Sequence, residues 1–371
     1  MAEAATAPPP QTFDIPPTYK AAIYDAPGTI STKITTLDTP TPGPGEILVR
    51  LTHSGVCHSD LGVMTNSWKG LPYPTQPGQV GGHEGVGVVH KLGPAAGPSS
   101  VKVGDRVGIK WISYACGTCP ACGTGADGVC FNQKISGYYT PGTFQQYVLA
   151  PASYATPIPA ALTSVAAAPL LCAGLTSYAA LRKSAAQSGQ FVVISGAGGG
   201  LGHLAIQIGA RGMGLRMIGL DTGAKEGLVM ESGAEAFFDV TKFDDKGLAE
   251  EVKRVTGGLG AHAVVVCTAV NKAYAQALGL LRFGGRVVCV GMPEGEAVEI
   301  GGAAPGALIA RQLSVVGSAV GNQREAGEVL ELAARGLVET RVRVEKLDKL
   351  TEVFREMEGG GLQGRVVIDL E

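Results

Sequence analysis

The stretch Phe191-Val-Val-Ile-Ser-Gly-Ala-Gly-Gly-Gly-Leu-Gly-His203, with Asp221 nineteen residues beyond Gly202, decides the fold. A short apolar run, a turn of glycines and then a helical pattern mark a buried parallel strand that hands the chain to a crossover helix. Glycines there allow a tight turn, let a pyrophosphate approach the backbone and let the helix pack close to the sheet. The strict G-x-G-x-x-G spacing is not met: the frame ending at Gly202 reads Ala197, Gly199, Gly202. Asp221 closes the next apolar run, Arg216 to Leu220. A carboxylate at that point bonds both hydroxyls of an adenosine ribose and repels a 2′-phosphate. The pattern therefore selects NAD, with Gly199, Gly200, Leu201, Gly202 and Asp221 as cofactor-binding residues and Lys225 beside them on the same loop.

Working outward, Ala263 to Thr268, Arg286 to Val290 and Leu313 to Gly317 are further apolar runs. The stretches Leu201 to Gly212 and Asn271 to Leu281 have the length and spacing of crossover helices. The middle of the chain is expected to be an α/β domain with a doubly wound parallel sheet. Between Tyr19 and Leu149 the texture differs: short β-branched runs broken by Gly and Pro predict a partly open barrel or an irregular β domain. Val165 to Lys183 is Ala/Leu-rich and reads as helical. After it come expected helices near Arg324 to Arg335 and Leu350 to Glu358. A last strand, Arg365 to Leu370, is placed to rejoin the first domain and make it discontinuous. The expected boundaries are a flexible tail at 1–18, a catalytic domain at 19–172 and 319–371, and a cofactor domain at 173–318.

Composition excludes other classes. The 55 glycines among 371 residues are roughly twice ordinary usage but have no three-residue period, so collagen does not fit. Thirty basic against thirty-two acidic residues argue against a nucleic-acid or acidic-membrane partner. No uncharged apolar run reaches the ~18 residues of a membrane span. Met1 to Thr18 has no Lys or Arg and carries Pro8, Pro9, Pro10, Pro16 and Pro17, unlike a secretory or mitochondrial leader. The expected location is cytoplasmic, where thiols stay reduced and the 8 cysteines need a purpose other than disulfides.

Cys116, Cys119, Cys122 and Cys130 place four thiols within fifteen residues of a glycine-rich loop. That set suits a closed tetrahedral zinc site with a structural role; an iron–sulfur cluster uses four cysteines too, but at other spacings. Cys57-His58-Ser59-Asp60, Gly81-Gly-His83-Glu84-Gly85 and Cys172 together suggest a second zinc site with two thiolates, one imidazole and an open fourth position. His203, which starts the helix after the glycine turn, has no partner pattern and is expected to face solvent.

With these motifs in order, the sequence resembles the zinc-containing medium-chain alcohol dehydrogenases, and within them the yeast-type tetrameric branch. The resemblance rests on Ser54-Gly-Val-Cys-His-Ser-Asp60, Gly81-Gly-His-Glu-Gly85, Gly108-Ile-Lys-Trp111, the four-cysteine loop, Leu171-Cys-Ala-Gly174, Gly196 to Gly202 and Val316-Gly-Ser318. It implies a Rossmann sheet beside a discontinuous GroES-like catalytic domain, two Zn2+ per chain, NAD as cofactor and a homotetramer. It implies that Cys57, His83 and Cys172 bind catalytic zinc, that Glu84 is an alternate ligand, and that Asp60 orients His83. His58 and Arg365 would contact the cofactor pyrophosphate, and backbone near Met292 and Ser318 the nicotinamide amide. Ser59 would take the hydroxyl proton while hydride moves from small primary alcohols to NAD+, giving aldehydes. Trp68 and Trp111 would line a pocket too small for branched or aromatic substrates.

One departure stands out. The family often has a histidine relay five residues after the first zinc cysteine, and here that position is Gly62, so the proton is expected to leave Ser59 toward solvent without it. The alternative reading is an aldehyde reductase of the cinnamyl-alcohol type using NADPH, which Asp221 opposes.

Overall fold

The computed structural model describes residues 11–96, 101–296, 298–362 and 364–371. Six parallel strands form its central sheet, in the spatial order Ala236–Asp239, Arg216–Asp221, Phe191–Ser195, Ala261–Val266, Leu281–Cys289, Ser314–Gly317. Numbered along the chain this is 3-2-1-4-5-6, the doubly wound order whose direction reverses between Phe191–Ser195 and Ala261–Val266. Ligands of such sheets sit in the crevice outside the carboxyl ends of those two strands. The glycine turn lies there. Gly196 has φ +80°, and a Cβ on it would meet Thr268 at 3.1 Å, so a residue without a side chain is required at the switch point. The strand Ala236–Asp239 gives no sequence signal of its own because only Phe238 is buried in it.

The second unit is antiparallel. Glu46–Val56 is its spine, pairing with Gly85–Leu92, Tyr147–Pro151 and the final strand Arg365–Asp369. The C-terminal strand thus completes the sheet that the first hundred residues begin, through Val366↔Val56 and Ile368↔Ser54. A core cluster that joins Val86, Leu171 and Val367 to Val192, Ile194 and Val265 packs the two units against each other.

Two expectations change here. The helix predicted over Val165 to Lys183 is broken: Ser164–Leu171 and Ala173–Lys183 meet at 47°, with Cys172 between them at φ −126°, ψ −68°. Pro169 opens the last turn of the first piece, where a missing N–H is tolerated. The break leaves the Cys172 side chain off the helix surface. The expected tail is docked over residues 11–18: Phe13 stacks on His90 with ring centroids 3.9 Å apart, and Thr39 donates to the carbonyls of Pro16 and Pro17. Residues 1–10, with Pro8, Pro9 and Pro10, lie outside the described residues. Among the described residues no single helix is long and apolar enough to cross a membrane.

Candidate active site

Cys57 follows the spine strand and caps the start of the helix His58–Met64. Asp60, one turn into that helix, is 2% exposed and divides its oxygens: Oδ2 accepts the Cys57 N–H at 3.0 Å, and Oδ1 lies 2.8 Å from His83 Nδ1. The carboxylate thereby fixes the imidazole by one nitrogen and leaves Nε2 facing inward. Nε2 is buried and has no partner, and neither has Glu84 Oε2. Cys172 brings its sulfur to 3.9 Å from that of Cys57. The donor atoms of Cys57, His83, Glu84 and Cys172 all lie within 4.8 Å of one another, and all four residues are buried. Ligands ~2.3 Å from a tetrahedral ion sit roughly 3.8 Å apart, which is the spacing of the two sulfurs. Orphaned lone pairs at that spacing fit a cation, since buried polar atoms otherwise find partners.

The electrostatics agree. A hydrogen bond from Cys172 holds the Cys57 thiol well below its usual range, against burial, with Arg365 and His83 helping. The same bond, with burial, pushes Cys172 up. Burial opposes charge on His83, yet the Asp60 carboxylate raises its pKa well above the ordinary imidazole value. Burial raises Glu84 to about 7, with the Arg365 guanidinium opposing.

Cys116, Cys119, Cys122 and Cys130 form the second cluster, again within 4.8 Å, with sulfur–sulfur distances of 3.8 Å for Cys119 and Cys130 and 3.5 Å for Cys130 and Cys116. Backbone N–H groups of Cys116, Cys119 and Asn132 point at sulfurs of the set, as thiolates require.

Ser59 lies with its Oγ 3.6 Å from Cys57 Sγ, at the edge of the first cluster. Trp111 packs edge-on against His83 with centroids 4.8 Å apart, and Trp68 against Trp111 at 6.1 Å. Trp111 therefore walls the cluster, and Trp68 backs Trp111. Gly62 is explained by the same wall: a Cβ there would lie 2.8 Å from Trp68 Nε1 and 2.9 Å from Cε2. The relay position is filled by an indole.

The residues expected to bind cofactor lie around the glycine turn and its neighbours. Asp221 is tied to the glycine turn itself, accepting the Gly198 N–H at 2.9 Å on one oxygen and the Thr222 N–H at 2.8 Å on the other. Lys225 stands 3.5 Å from Asp221 and lies across Gly198, where a Cβ would strike its side chain at 2.5 Å. Gly199, Gly200, Leu201 and Gly202 form the turn into the helix Gly202–Gln207. Arg365 is buried and its guanidinium pairs with Glu84, while a Cβ on Gly200 would lie 2.9 Å from its other nitrogen. It thus stands between the glycine turn and the cluster of Cys57, His83, Glu84 and Cys172. His58, expected at a pyrophosphate, pairs at 3.0 Å with Glu294, two residues after the exposed Met292. Ser318 donates its N–H to Cys289 O at 2.9 Å and accepts from Lys183 Nζ at 3.2 Å. His203, expected in solvent, is wholly buried: Nδ1 bonds Gly199 O at 2.9 Å, and burial pushes its pKa down to about 4.

The alcohol dehydrogenase GroES-like domain matches residues 43–160, and the zinc-binding dehydrogenase domain residues 200–335. Alcohol dehydrogenase 2 of Emericella nidulans is 64% identical over 362 residues, covering 96% of this chain and 99% of that one. The chain belongs to the zinc-containing medium-chain alcohol dehydrogenases. Alcohol dehydrogenase of Schizosaccharomyces pombe is 42% identical over 330 residues, covering 89% and 91% of the two chains. Among solved structures, acetophenone reductase from Geotrichum candidum in complex with NAD superposes with a TM-score of 0.83 at 27% identity, covering 96% of this chain and 98% of that one. As a member of this family the protein is an alcohol dehydrogenase, an oxidoreductase of alcohols and aldehydes. The cinnamyl-type alternative finds no better support.

Within this alcohol dehydrogenase, sequence reasoning missed Glu294 and Lys110. Glu294 gives no signal, being one acid in an exposed loop. Lys110 gave one: a lysine inside the apolar segment Gly-Ile-Lys-Trp, which was read only as part of a motif.

Proposed function

We propose that the protein oxidises small primary alcohols reversibly to aldehydes with NAD, using one zinc ion held by Cys57, His83 and Cys172 and a second held by the four-cysteine loop. The observation that carries this is the buried cluster whose His83 Nε2 and Glu84 Oε2 lack partners beside two sulfurs 3.9 Å apart. Bound there, zinc would lower the pKa of a substrate hydroxyl, and NAD in the adjoining cleft would supply the hydride acceptor. Glu84 is an alternate ligand kept in reserve by Arg365. Asp60 sets the tautomer of His83, and Ser59, beside Cys57, receives the hydroxyl proton. Trp68 and Trp111 exclude water and limit the substrate to a short chain. The Trp68 ring over Gly62 denies the proton a histidine relay, so it leaves Ser59 toward solvent.

Asp221 supports NAD over NADP, because a 2′-phosphate beside it meets a carboxylate. His58, Lys225, Arg365 and backbone near Met292 and Ser318 complete the cofactor cleft, with Glu294 giving way at His58. The division at 19–172, 173–318 and 319–371 is supported by the antiparallel pairing of Glu46–Val56 with Arg365–Asp369 on one side and by the six parallel strands from Phe191–Ser195 to Ser314–Gly317 on the other. Self-association, read as a homotetramer from the resemblance, is supported by the outer strand Ser314–Gly317, which ends the parallel sheet. Beside it the helix Pro305–Arg311 buries none of its residues, and Ile309 is 76% exposed. A cytoplasmic location fits cysteines that serve as reduced ligands.

The test is elemental analysis with steady-state kinetics on the purified protein. Two zinc ions per chain are expected, one lost with activity on Cys57→Ser, together with higher kcat/KM for ethanol than for benzyl alcohol and for NAD+ than for NADP+. Full activity in the Cys57→Ser protein would defeat the reading.

A further inference from the structure

Lys110 follows the strand Arg106–Ile109 and is 1% exposed. Its ammonium donates to Tyr154 O at 2.9 Å, to Thr156 Oγ1 at 3.2 Å and to Gln323 Oε1, and sits 3.7 Å from the Tyr154 ring centroid. Gln323 opens the helix Gln323–Ala334. Its N–H donates to the Asp127 carboxylate at 2.9 Å, its Nε2 to Ala155 O at 3.2 Å, and Asp127 also accepts the Tyr154 hydroxyl. Asp127 lies inside the four-cysteine loop, and one residue before Gln323 the Asn322 amide donates to Gly125 O of that loop at 2.9 Å. One buried cation thus joins the substrate wall, through its neighbour Trp111, to the four-cysteine loop and to the start of the Gln323–Ala334 helix.

What precedes that helix explains why such a joint is needed. Residues 318–322 carry the chain out of the strand Ser314–Gly317, at the same carboxyl edge of the sheet as the glycine turn. Val320 in this crossover has φ +38°, a left-handed conformation that a β-branched residue adopts only when its surroundings impose it. The impositions are the Ser318 bonds on one side and the Gln323 anchorage on the other. Burying an ammonium is expensive and lowers the Lys110 pKa to about 7, with Asp127 opposing; a well-packed apolar residue would serve mere stability as well.

We propose that Lys110 is a positioning residue for dinucleotide binding, acting through Gln323 to hold the strained crossover 318–322 in place against the cofactor cleft. The proposal rests on the NAD reading above. It requires that loss of the ammonium loosen the crossover, so that part of the binding free energy is consumed in ordering it.

The experiment measures NADH affinity of the zinc-loaded protein by nucleotide fluorescence, alongside melting temperature, for wild type, Lys110→Met, Gln323→Leu and the double variant. Lys110→Met should weaken NADH binding roughly tenfold, within the range of ordinary couplings. The loss should appear in KM for NAD+ and leave kcat within about twofold. Gln323→Leu should weaken binding in the same way, and the double variant should be no worse than the more affected single, because both cut one path. A merely structural lysine predicts a lower melting temperature with unchanged NADH affinity, and that result overturns the proposal, as do losses that multiply in the double variant. Should Lys110→Met fail to fold, Gln323→Leu at its partly exposed position decides alone. If wild type binds no NADH, the NAD reading falls first and takes the proposal with it, which separates the two failures.

Discussion

Adding one methyl group at Gly62 tests the proposed substrate wall directly. Gly62 lies within the helix His58–Met64, where alanine in place of glycine stabilises by about 1 kcal/mol in the absence of other effects. Here the new Cβ would approach Trp68 Nε1 to 2.8 Å and Cε2 to 2.9 Å, closer than carbon atoms tolerate, so the indole must shift. Overpacking of this kind costs about 1–3 kcal/mol. The net expectation for Gly62→Ala is therefore a destabilisation between about 0 and 2 kcal/mol, lowering the melting temperature by up to a few degrees. In a Trp68→Ala background the clash disappears and the same substitution should raise the melting temperature. The assay is a double-mutant cycle by thermal unfolding, with kcat/KM for ethanol, butanol and hexanol on each variant. Trp68→Ala should improve hexanol relative to ethanol because the wall recedes. If Gly62→Ala stabilises equally with and without Trp68, or if chain-length preference is indifferent to Trp68, the placement of the indole over Gly62 is refuted.

Three further outcomes follow from other contacts. Arg365→Leu strands the Glu84 carboxylate in a buried site and should destabilise by about 3–5 kcal/mol, part of which Glu84→Gln restores; equal urea midpoints for wild type and Arg365→Leu would contradict the buried pair. His203 is held neutral by burial with its pKa lowered to about 4, whereas the unfolded chain takes up the proton near 6.5. The unfolded state binds more protons in between, so this contribution is complete above pH 6.5 and fades as pH falls toward 4, by at most about 3 kcal/mol. His203→Gln should flatten the fall of the urea midpoint between pH 7 and pH 5, and an unchanged slope would count against it. Asp221→Asn removes the charge that repels a 2′-phosphate while keeping an acceptor for the Gly198 N–H, so the NAD+/NADP+ ratio of kcat/KM should drop roughly tenfold or more; a constant ratio would show that selection lies elsewhere.

The strand–glycine–helix stretch at Phe191 to His203, the five apolar runs and the cysteine spacings are local patterns, and local patterns survive in a linear sequence. They carried the doubly wound sheet, the glycine turn and the cysteines of both clusters, and the motif resemblance carried the family. The sequence was silent where contacts form only on folding, whether the partners are near in the chain or far apart. Cys172 looks like part of a helix because its neighbours have helical propensity; in the fold it sits at a 47° break, with its sulfur 3.9 Å from that of Cys57. His203 looked like a solvent residue because its partner is a carbonyl of the turn, which exists only once the turn has folded. Gly62 read as a missing relay until the Trp68 ring was found above it. Lys110 read as one letter of a motif until Tyr154, Thr156 and Gln323 closed around it. The sequence by itself determined which chemistry is available, because ligand type and glycine spacing are properties of consecutive residues. Tertiary structure alone decided how that chemistry is poised, because burial, charge pairing and steric exclusion depend on residues that the chain brings together only on folding.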